Sequence, residues 1–172
     1  MTELVFVDTN VFVYARDAAE PGKQPVAAIW LERLWREQRG RTSMQVLCEY
    51  YVTVTRKLHP GMDSNDAWDD VGALLAWRPQ PVDAALMQRG REIEGRYGLS
   101  WWDSLVVGAA QLQRCDLLLS EDLEDGGAYG SVTVRSPFTL ALNEPSAAYR
   151  TSSLVPRDHP LRGRPRRSRT AA

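Results

Sequence analysis

Two short apolar runs, each followed closely by acidic residues, constrain the fold of this chain most strongly. The first occupies residues 4–7 and leads directly into Asp8, and the second lies within residues 116–120, just before Asp122. Continuous apolar runs of this length are typical of buried strands in a parallel sheet. Ligands of such sheets bind outside the carboxyl ends of the strands. Asp8 and Asp122 are therefore expected to reach one crevice.

Segments with helical spacing of apolar residues alternate with these short runs. Strands are predicted at 4–7, 41–43, 80–82, 116–120 and 132–135, and residues 126–130 are predicted to form a turn. Helices are predicted at 11–15, 26–39, 44–58, 64–77, 83–97 and 100–114. Alternation of this kind predicts an α/β fold, a three-layer α/β/α sandwich with a central, mainly parallel sheet.

The composition is that of a soluble protein in a reducing compartment. The 172 residues are 44% hydrophobic and 25% charged, which is ordinary for a globular domain. No apolar run approaches the roughly 18 residues of a membrane span, so no membrane partner is expected, and residues 4–7 are too short for a signal peptide. The two cysteines, Cys48 and Cys115, are predicted to be buried thiols, which favours a cytoplasmic location.

The net charge of −1 hides an uneven distribution. Residues 146–172 carry seven arginines and one aspartate, a balance of +6, so residues 1–145 carry −7. We predict a folded domain over 1–145 and a basic, disordered tail over 146–172, because the tail is rich in Pro, Arg and Ser and lacks periodicity. Such a tail either attracts nucleic-acid phosphates non-specifically or serves as a solubilising extension.

Four carboxylates are the candidate functional residues: Asp8, Glu49, Asp103 and Asp122. Taken singly, Asp8 also suits a helix N-cap, Asp103 has capping-box spacing after Ser100, and Asp122 would fit a solvated turn. Carboxylates gathered in one crevice repel one another unless a cation lies among them. Their oxygen atoms are the ligands that Mg²⁺ or Mn²⁺ prefers.

The chain resembles a known family in four places. These are Val7-Asp8-Thr9-Asn10-Val11, Glu49 on a mid-chain helix, Trp102-Asp103-Ser104-Leu105 at the start of an apolar helix, and Ser120-Glu121-Asp122-Leu123 after a strand. In this order they resemble the PIN-domain ribonucleases, most closely the VapC-type toxins of prokaryotic toxin–antitoxin pairs. The resemblance extends over residues 4–138, and the basic tail departs from it.

The resemblance implies an endoribonuclease that depends on Mg²⁺ or Mn²⁺. Asp8, Glu49, Asp103 and Asp122 would be both the catalytic and the metal-binding acids. Thr9 or Asn10 would orient Asp8, Ser120 would be a polar neighbour, and Glu121 or Asp125 would supply a further acid. The implied partners are an RNA substrate and a small antitoxin protein that covers the acidic site.

Two other interpretations stay open, and a homodimer is predicted in addition. A haloacid-dehalogenase-like phosphatase also places an Asp after its first strand, but it needs a second Asp where this chain has Asn10. A catalytically silent PIN-like module would bind RNA or a protein without cleavage. Some of the six tryptophans would line a homodimer interface, since aromatic residues are enriched in interface cores.

Overall fold

The computed structural model describes residues 3–140. The predicted tail, 146–172, and the last residues of the predicted domain 1–145 lie outside the described residues. Five short strands form one sheet: β1 (Val5–Val7), β2 (Gly40–Arg41), β3 (Leu117–Leu119), β4 (Ala128–Tyr129) and β5 (Val132–Arg135). Their order across the sheet is β2-β1-β3-β5-β4. Only β4 is antiparallel to its neighbour.

Burial along the central strands shows that the sheet is covered on both faces. Successive side chains of a strand point to opposite faces, yet Val5, Phe6 and Val7 of β1 are all at most 1% exposed. Leu118 and Leu119 of β3 are fully buried as well. A mainly parallel sheet buried on both faces is the centre of an α/β/α fold. The predicted fold class is therefore confirmed.

In the described part of the chain, six α-helices surround the sheet: α1 (Thr9–Arg16), α2 (Gln24–Arg36), α3 (Met44–Val52), α4 (Ser64–Leu74), α5 (Ala84–Tyr97) and α6 (Trp101–Leu112). Helix α1 packs against α2 and α3, and α5 packs against α6. None of the helices within residues 3–140 is long and apolar enough to cross a membrane.

The helix ends follow local capping chemistry. The hydroxyl of Ser43 accepts the Val46 N–H at the start of α3, and Asp83 does the same for the Leu86 N–H at the start of α5. Such side-chain caps satisfy amide groups that have no partner inside the helix. Helix α5 ends at Gly98, whose φ of 67° lies in the left-handed region, where a residue without Cβ is least strained.

Three predicted elements differ in the structure. Predicted strand 80–82 is only a single bridge between Ser43 and Gln80, because Asp83 caps α5 immediately afterwards. Predicted helix 44–58 ends at Val52 and continues as a π-helical turn, Thr53–Lys57. There the Thr55 hydroxyl donates to the Tyr51 carbonyl, a bond that competes with regular helix. The predicted turn 126–130 contains β4, which pairs with β5.

The two cysteines occupy different environments. Cys115 is buried, as predicted, whereas the prediction for Cys48 is wrong because its side chain is exposed. Cys48 lies midway between Met44 and Val52 on α3, and both of these residues are also exposed. Residues four apart share one face of a helix. The apolar residues at this spacing therefore line an outward face, which the periodicity alone did not distinguish from the core.

Candidate functional site

Adjacent parallel strands deliver Asp8 and Ser120 to the same edge of the sheet. Val7 of β1 is in register with Leu119 of β3, and the next amide, Asp8 N–H, donates to the Leu119 carbonyl at 3.0 Å. The residues after both strands are thus side by side. The Ser120 hydroxyl donates to Asp8 Oδ2 at 2.8 Å.

Asp8 is buried and fixed by further bonds from the start of α1. Its Oδ1 accepts the Thr9 N–H at 2.7 Å, which makes Asp8 the N-cap of α1. Its Oδ2 accepts a bond of 3.3 Å from the Asn10 amide, which also contacts the Ser120 hydroxyl at 3.3 Å. The N-cap and the candidate site therefore use the same carboxylate. Only 7% of the residue is exposed.

The electrostatic environment of Asp8 is unfavourable to its charge. Burial is the largest cause that raises the pKa of Asp8 to about 6, and the negative charge of Asp122 adds to it. The bonds from Ser120 and Thr9 partly offset this rise, and Glu49 contributes a further, smaller increase. Three of the four predicted acids therefore interact electrostatically. A buried carboxylate beside like charges lacks the positive charge that would stabilise it.

Glu49 reaches this group from the middle of α3. The Thr9 hydroxyl donates to Glu49 Oε2 at 3.3 Å, and Gln45 donates to Glu49 Oε1 at 3.1 Å. The same Gln45 amide also lies 3.4 Å from the Trp102 carbonyl. Gln45 thus joins α3 to the first turn of α6, beside Glu49.

Asp103 lies in that first turn of α6, next to Trp102. Its N–H donates to the Ser100 hydroxyl at 3.1 Å, so the capping bond expected from the sequence is present. Its charge also affects Tyr129 of β4. Burial is the largest cause that raises the pKa of Tyr129, followed by the negative charges of Glu124 and Asp103. Asp103 is half-buried.

Glu121 and Asp125, the candidates for a further acid, make different contacts. Glu121 is exposed, pairs with Lys23 at 2.5 Å, and donates its N–H to Asn10 Oδ1 at 3.2 Å. Asp125 instead accepts the Ser136 N–H at 2.9 Å and pairs with Arg135 at 3.0 Å. Of the two, only Glu121 is tied directly to the residues around Asp8.

The donor chemistry of the site fits a hard divalent cation. Within residues 3–140, no group of three or more His, Cys, Asp or Glu side chains is arranged to hold a metal ion. Mg²⁺ usually keeps several waters and is held by only one or two carboxylates together with substrate phosphates. The buried Asp8 and Asp122, whose negative charge raises the pKa of Asp8, are a donor set of that kind.

Sequence reasoning missed two residues of the site. Gln45 lies four residues before Glu49, a spacing that places two side chains together on a helix, and this was a usable signal. Lys23 approaches from 98 positions away to pair with Glu121. No local sequence pattern predicts a contact between residues so far apart in the chain.

Comparisons with known proteins identify the family and a similar fold. The sequence matches the PIN domain profile over residues 5–124. The fold resembles the crystal structure of VapC20 from Mycobacterium tuberculosis, described as a sarcin–ricin loop cleaving toxin. That match has 20% identity and a TM-score of 0.50, and covers 66% of this chain and 86% of VapC20.

A second similar structure is a toxin–antitoxin complex from Klebsiella pneumoniae. The match has 17% identity and a TM-score of 0.54, and covers 77% of this chain and 97% of the other. No curated protein gives a significant sequence match. Because the PIN profile covers more than half of its residues, the chain belongs to the PIN-domain family.

Proposed function

We propose that the protein is an endoribonuclease that requires Mg²⁺ or Mn²⁺ and hydrolyses RNA phosphodiester bonds. The observation that carries the proposal is the buried Asp8 carboxylate, which three neighbours hold by hydrogen bonds. Burial first, and then the charges of Asp122 and Glu49, raise its pKa to about 6. A protein gains no stability from holding like charges around a buried acid. The arrangement becomes favourable when a cation lies among the carboxylates.

Asp8 and Asp122 would hold the metal, with Glu49 and Asp103 at the rim. A divalent ion held by these residues would supply neutralisation of phosphate charge and activation of water for hydrolysis. Thr9, Asn10 and Ser120 fix the orientation of Asp8 through the bonds described above. Thr9 also holds Glu49, so one short segment after β1 positions two of the acids.

The assignment to RNA and to a toxin–antitoxin pair draws on the similar structures. VapC20 is described as a toxin that cleaves the sarcin–ricin loop, and the Klebsiella protein is part of a toxin–antitoxin complex. By analogy, we propose that this chain is the toxin of such a pair and binds a cognate antitoxin. Fold-level likeness alone does not assign function, so cleavage has to be measured directly.

The direct test is incubation of a structured RNA pool with the purified protein. We expect discrete fragments with Mg²⁺ or Mn²⁺ and none after the metal is removed by a chelator. Fragments that persist in chelator would contradict metal-dependent cleavage. A mock purification from cells without the gene controls for contaminating nuclease.

One observation favours a second candidate, a PIN-like module that binds RNA or protein without cleaving. No group of three acids within residues 3–140 is arranged around a single point. Titration calorimetry separates the two candidates. Heat of Mg²⁺ or Mn²⁺ binding that disappears in an Asp122→Asn variant supports the nuclease, and absence of binding supports the silent module.

Ser120→Ala provides a prediction about positioning. The Ser120 hydroxyl donates to Asp8 and accepts the Asp122 N–H at 3.2 Å, so its loss would leave both acids less well oriented. Loss of a group that orients a metal ligand costs about 10–100-fold in activity or metal affinity. We expect a decrease in this range in RNA cleavage rate. Ser120→Thr, which keeps a hydroxyl, is the matched control, and activity of the Ala variant equal to wild type would contradict the role.

We also propose that the protein forms a homodimer. Three tryptophans, Trp35, Trp68 and Trp102, are exposed at 45%, 62% and 55%, and large exposed aromatic residues are typical of interface cores. Sedimentation should then show a mass that increases with protein concentration. A monomer at all concentrations would rule the dimer out.

A further inference from the structure

A positively charged side chain, Lys23, lies beside the acidic site. Its ammonium group pairs with Glu121 at 2.5 Å and donates a hydrogen bond of 3.3 Å to the Tyr14 hydroxyl. The Glu121 N–H donates to Asn10 Oδ1 at 3.2 Å, and the Asn10 amide in turn donates to Asp8. Only Glu121 and Asn10 therefore separate this cation from the candidate metal ligand.

Two aromatic rings also hold the ammonium group of Lys23. Its nitrogen lies 4.5 Å from the centre of the Tyr14 ring and 5.3 Å from the centre of the Phe138 ring. The two rings pack edge to face with their centres 5.3 Å apart. A cation over an aromatic face gains about 0.5–1 kcal/mol at an exposed site. The rings therefore keep the positive charge in place independently of Glu121.

The ion pair between Lys23 and Glu121 is open to solvent. The two side chains are 31% and 33% exposed. Pairs of this kind contribute about 0–1 kcal/mol, because solvent screens the charges. A phosphate can therefore replace Glu121 as the partner of Lys23 at little cost, while Tyr14 and Phe138 hold the ammonium group in its position.

The acidic character of the domain makes a cation at this place important for an RNA substrate. Residues 1–145 carry a charge of −7, and an acidic surface repels a polyanion. Arg33 and Arg36 on α2 both pair with Glu37. At 1.5 Å per helical residue they lie roughly 15–20 Å beyond Lys23 along the helix. Lys23 is thus much nearer than these arginines to the point where RNA would be cleaved.

We propose that Lys23 binds a phosphate of the RNA next to the cleavage point and exchanges Glu121 for this phosphate when the substrate binds. The inference rests on the proposed nuclease function and names a substrate contact of the same site. The contribution of Lys23 is to the affinity for RNA. Because Glu121 competes for the same ammonium group, the two side chains should have opposite effects on RNA binding.

The salt dependence of RNA binding tests the contact. Lys23→Gln and the charge-matched control Lys23→Arg are each combined with Asp8→Asn, so that RNA is not cleaved. Binding to one labelled single-stranded RNA is measured with saturating Mg²⁺ from about 50 to 200 mM salt. Loss of one phosphate contact decreases the slope of log affinity against log salt by about 0.7 for a single strand. We expect this decrease in Lys23→Gln and not in Lys23→Arg, and an unchanged slope in Lys23→Gln would overturn the proposal.

Glu121→Gln in the same background gives the opposite prediction. Removal of the competing acid should tighten RNA binding, and this gain should be lost in the double variant with Lys23→Gln, because the two side chains are coupled. Glu124→Gln, an exposed acid of the same loop, controls for the loss of one negative charge and should act equally with and without Lys23. An equal gain from Glu121→Gln in both backgrounds would overturn the exchange of partners.

The binding measurements separate this proposal from the nuclease function. RNA binding that depends on Lys23, together with no cleavage by the unmodified chain, would refute the nuclease and still support the phosphate contact. Failure of the Asp8→Asn protein to bind RNA would overturn the contact, whether or not the unmodified chain cleaves.

Discussion

Replacement of Asp8 by Asn is expected to reduce RNA cleavage by more than about 100-fold. Loss of a residue that only orients a metal ligand costs about 10–100-fold, whereas Asp8 is itself the carboxylate to which Thr9, Asn10 and Ser120 donate. The amide also removes the charge that would hold the cation. Initial rates on a defined RNA, with saturating Mg²⁺ or Mn²⁺, measure the loss.

The same substitution should leave the fold intact. Asn is as good an N-cap as Asp, so the bond from the Thr9 N–H to residue 8 is retained. Because the pKa of Asp8 is raised from 3.8 to about 6 in the folded state, the folded state loses stability as the pH rises through this interval, and the full penalty of its charge is present above about pH 6. Asn removes this penalty, which is on the order of 1–3 kcal/mol, and the midpoint of urea unfolding at pH 7.5 should stay equal or rise.

Asp116→Asn is the matched control for this experiment. Asp116 immediately precedes β3, at the edge of the sheet opposite to Ser120, and its side chain is exposed. The change in charge is identical, but no effect on cleavage is expected. Undiminished cleavage by the Asp8 variant would show that Asp8 is not part of the site. An equal loss of cleavage in both variants would show that the change in net charge causes the loss.

The sheet and its acidic edge could be predicted because local signals and parallel-sheet geometry agree there. The run Val5–Val7 and the run Leu117–Leu119 are apolar throughout, which only a strand buried on both faces accommodates well. Once these two strands are parallel neighbours, Asp8 and Ser120 must meet. The cap at Ser100 was equally local, since it acts on Asp103 within three residues.

Features that depend on distant partners could not be predicted in this way. Cys48 lies on an apolar stripe of α3, but whether that stripe faces the core depends on which helices pack around it. Asp125 looked like a neighbour of Asp122 by sequence, yet Ser136 and Thr139 satisfy its oxygens. In both cases the environment of the side chain depends on tertiary contacts that the local sequence does not specify.

Replacement of Asp70 by Ala is expected to cause a large loss of stability at a position outside the site. Asp70 on α4 accepts hydrogen bonds from Arg16 at the end of α1, through Nε at 3.0 Å, and from the Tyr50 hydroxyl on α3 at 2.6 Å. One carboxylate thus joins three helices. The ion pair is mostly buried, with side-chain exposures of 13% and 19%.

Removal of one partner from a buried ion pair costs about 3–5 kcal/mol. The residual exposure of both side chains favours the lower end of this range, because solvent screens part of the charge. Urea unfolding measures the difference, and Asp69→Ala, an exposed position on the same helix, is the matched control. A loss below about 1 kcal/mol, in the range of exposed surface ion pairs, would show that the pair contributes little.

A double-mutant cycle with Tyr50→Phe separates the hydroxyl bond from the ion pair. Tyr50 is 2% exposed. Both burial and Asp70 raise its pKa, so its hydroxyl stays protonated and acts as a hydrogen-bond donor. In Asp70→Ala that hydroxyl loses its acceptor, and an unsatisfied buried group costs about 1–3 kcal/mol. Removal of the hydroxyl should then relieve part of the damage. The double variant is expected to lose less stability than the sum of the two single variants, since residues in one network are not independent.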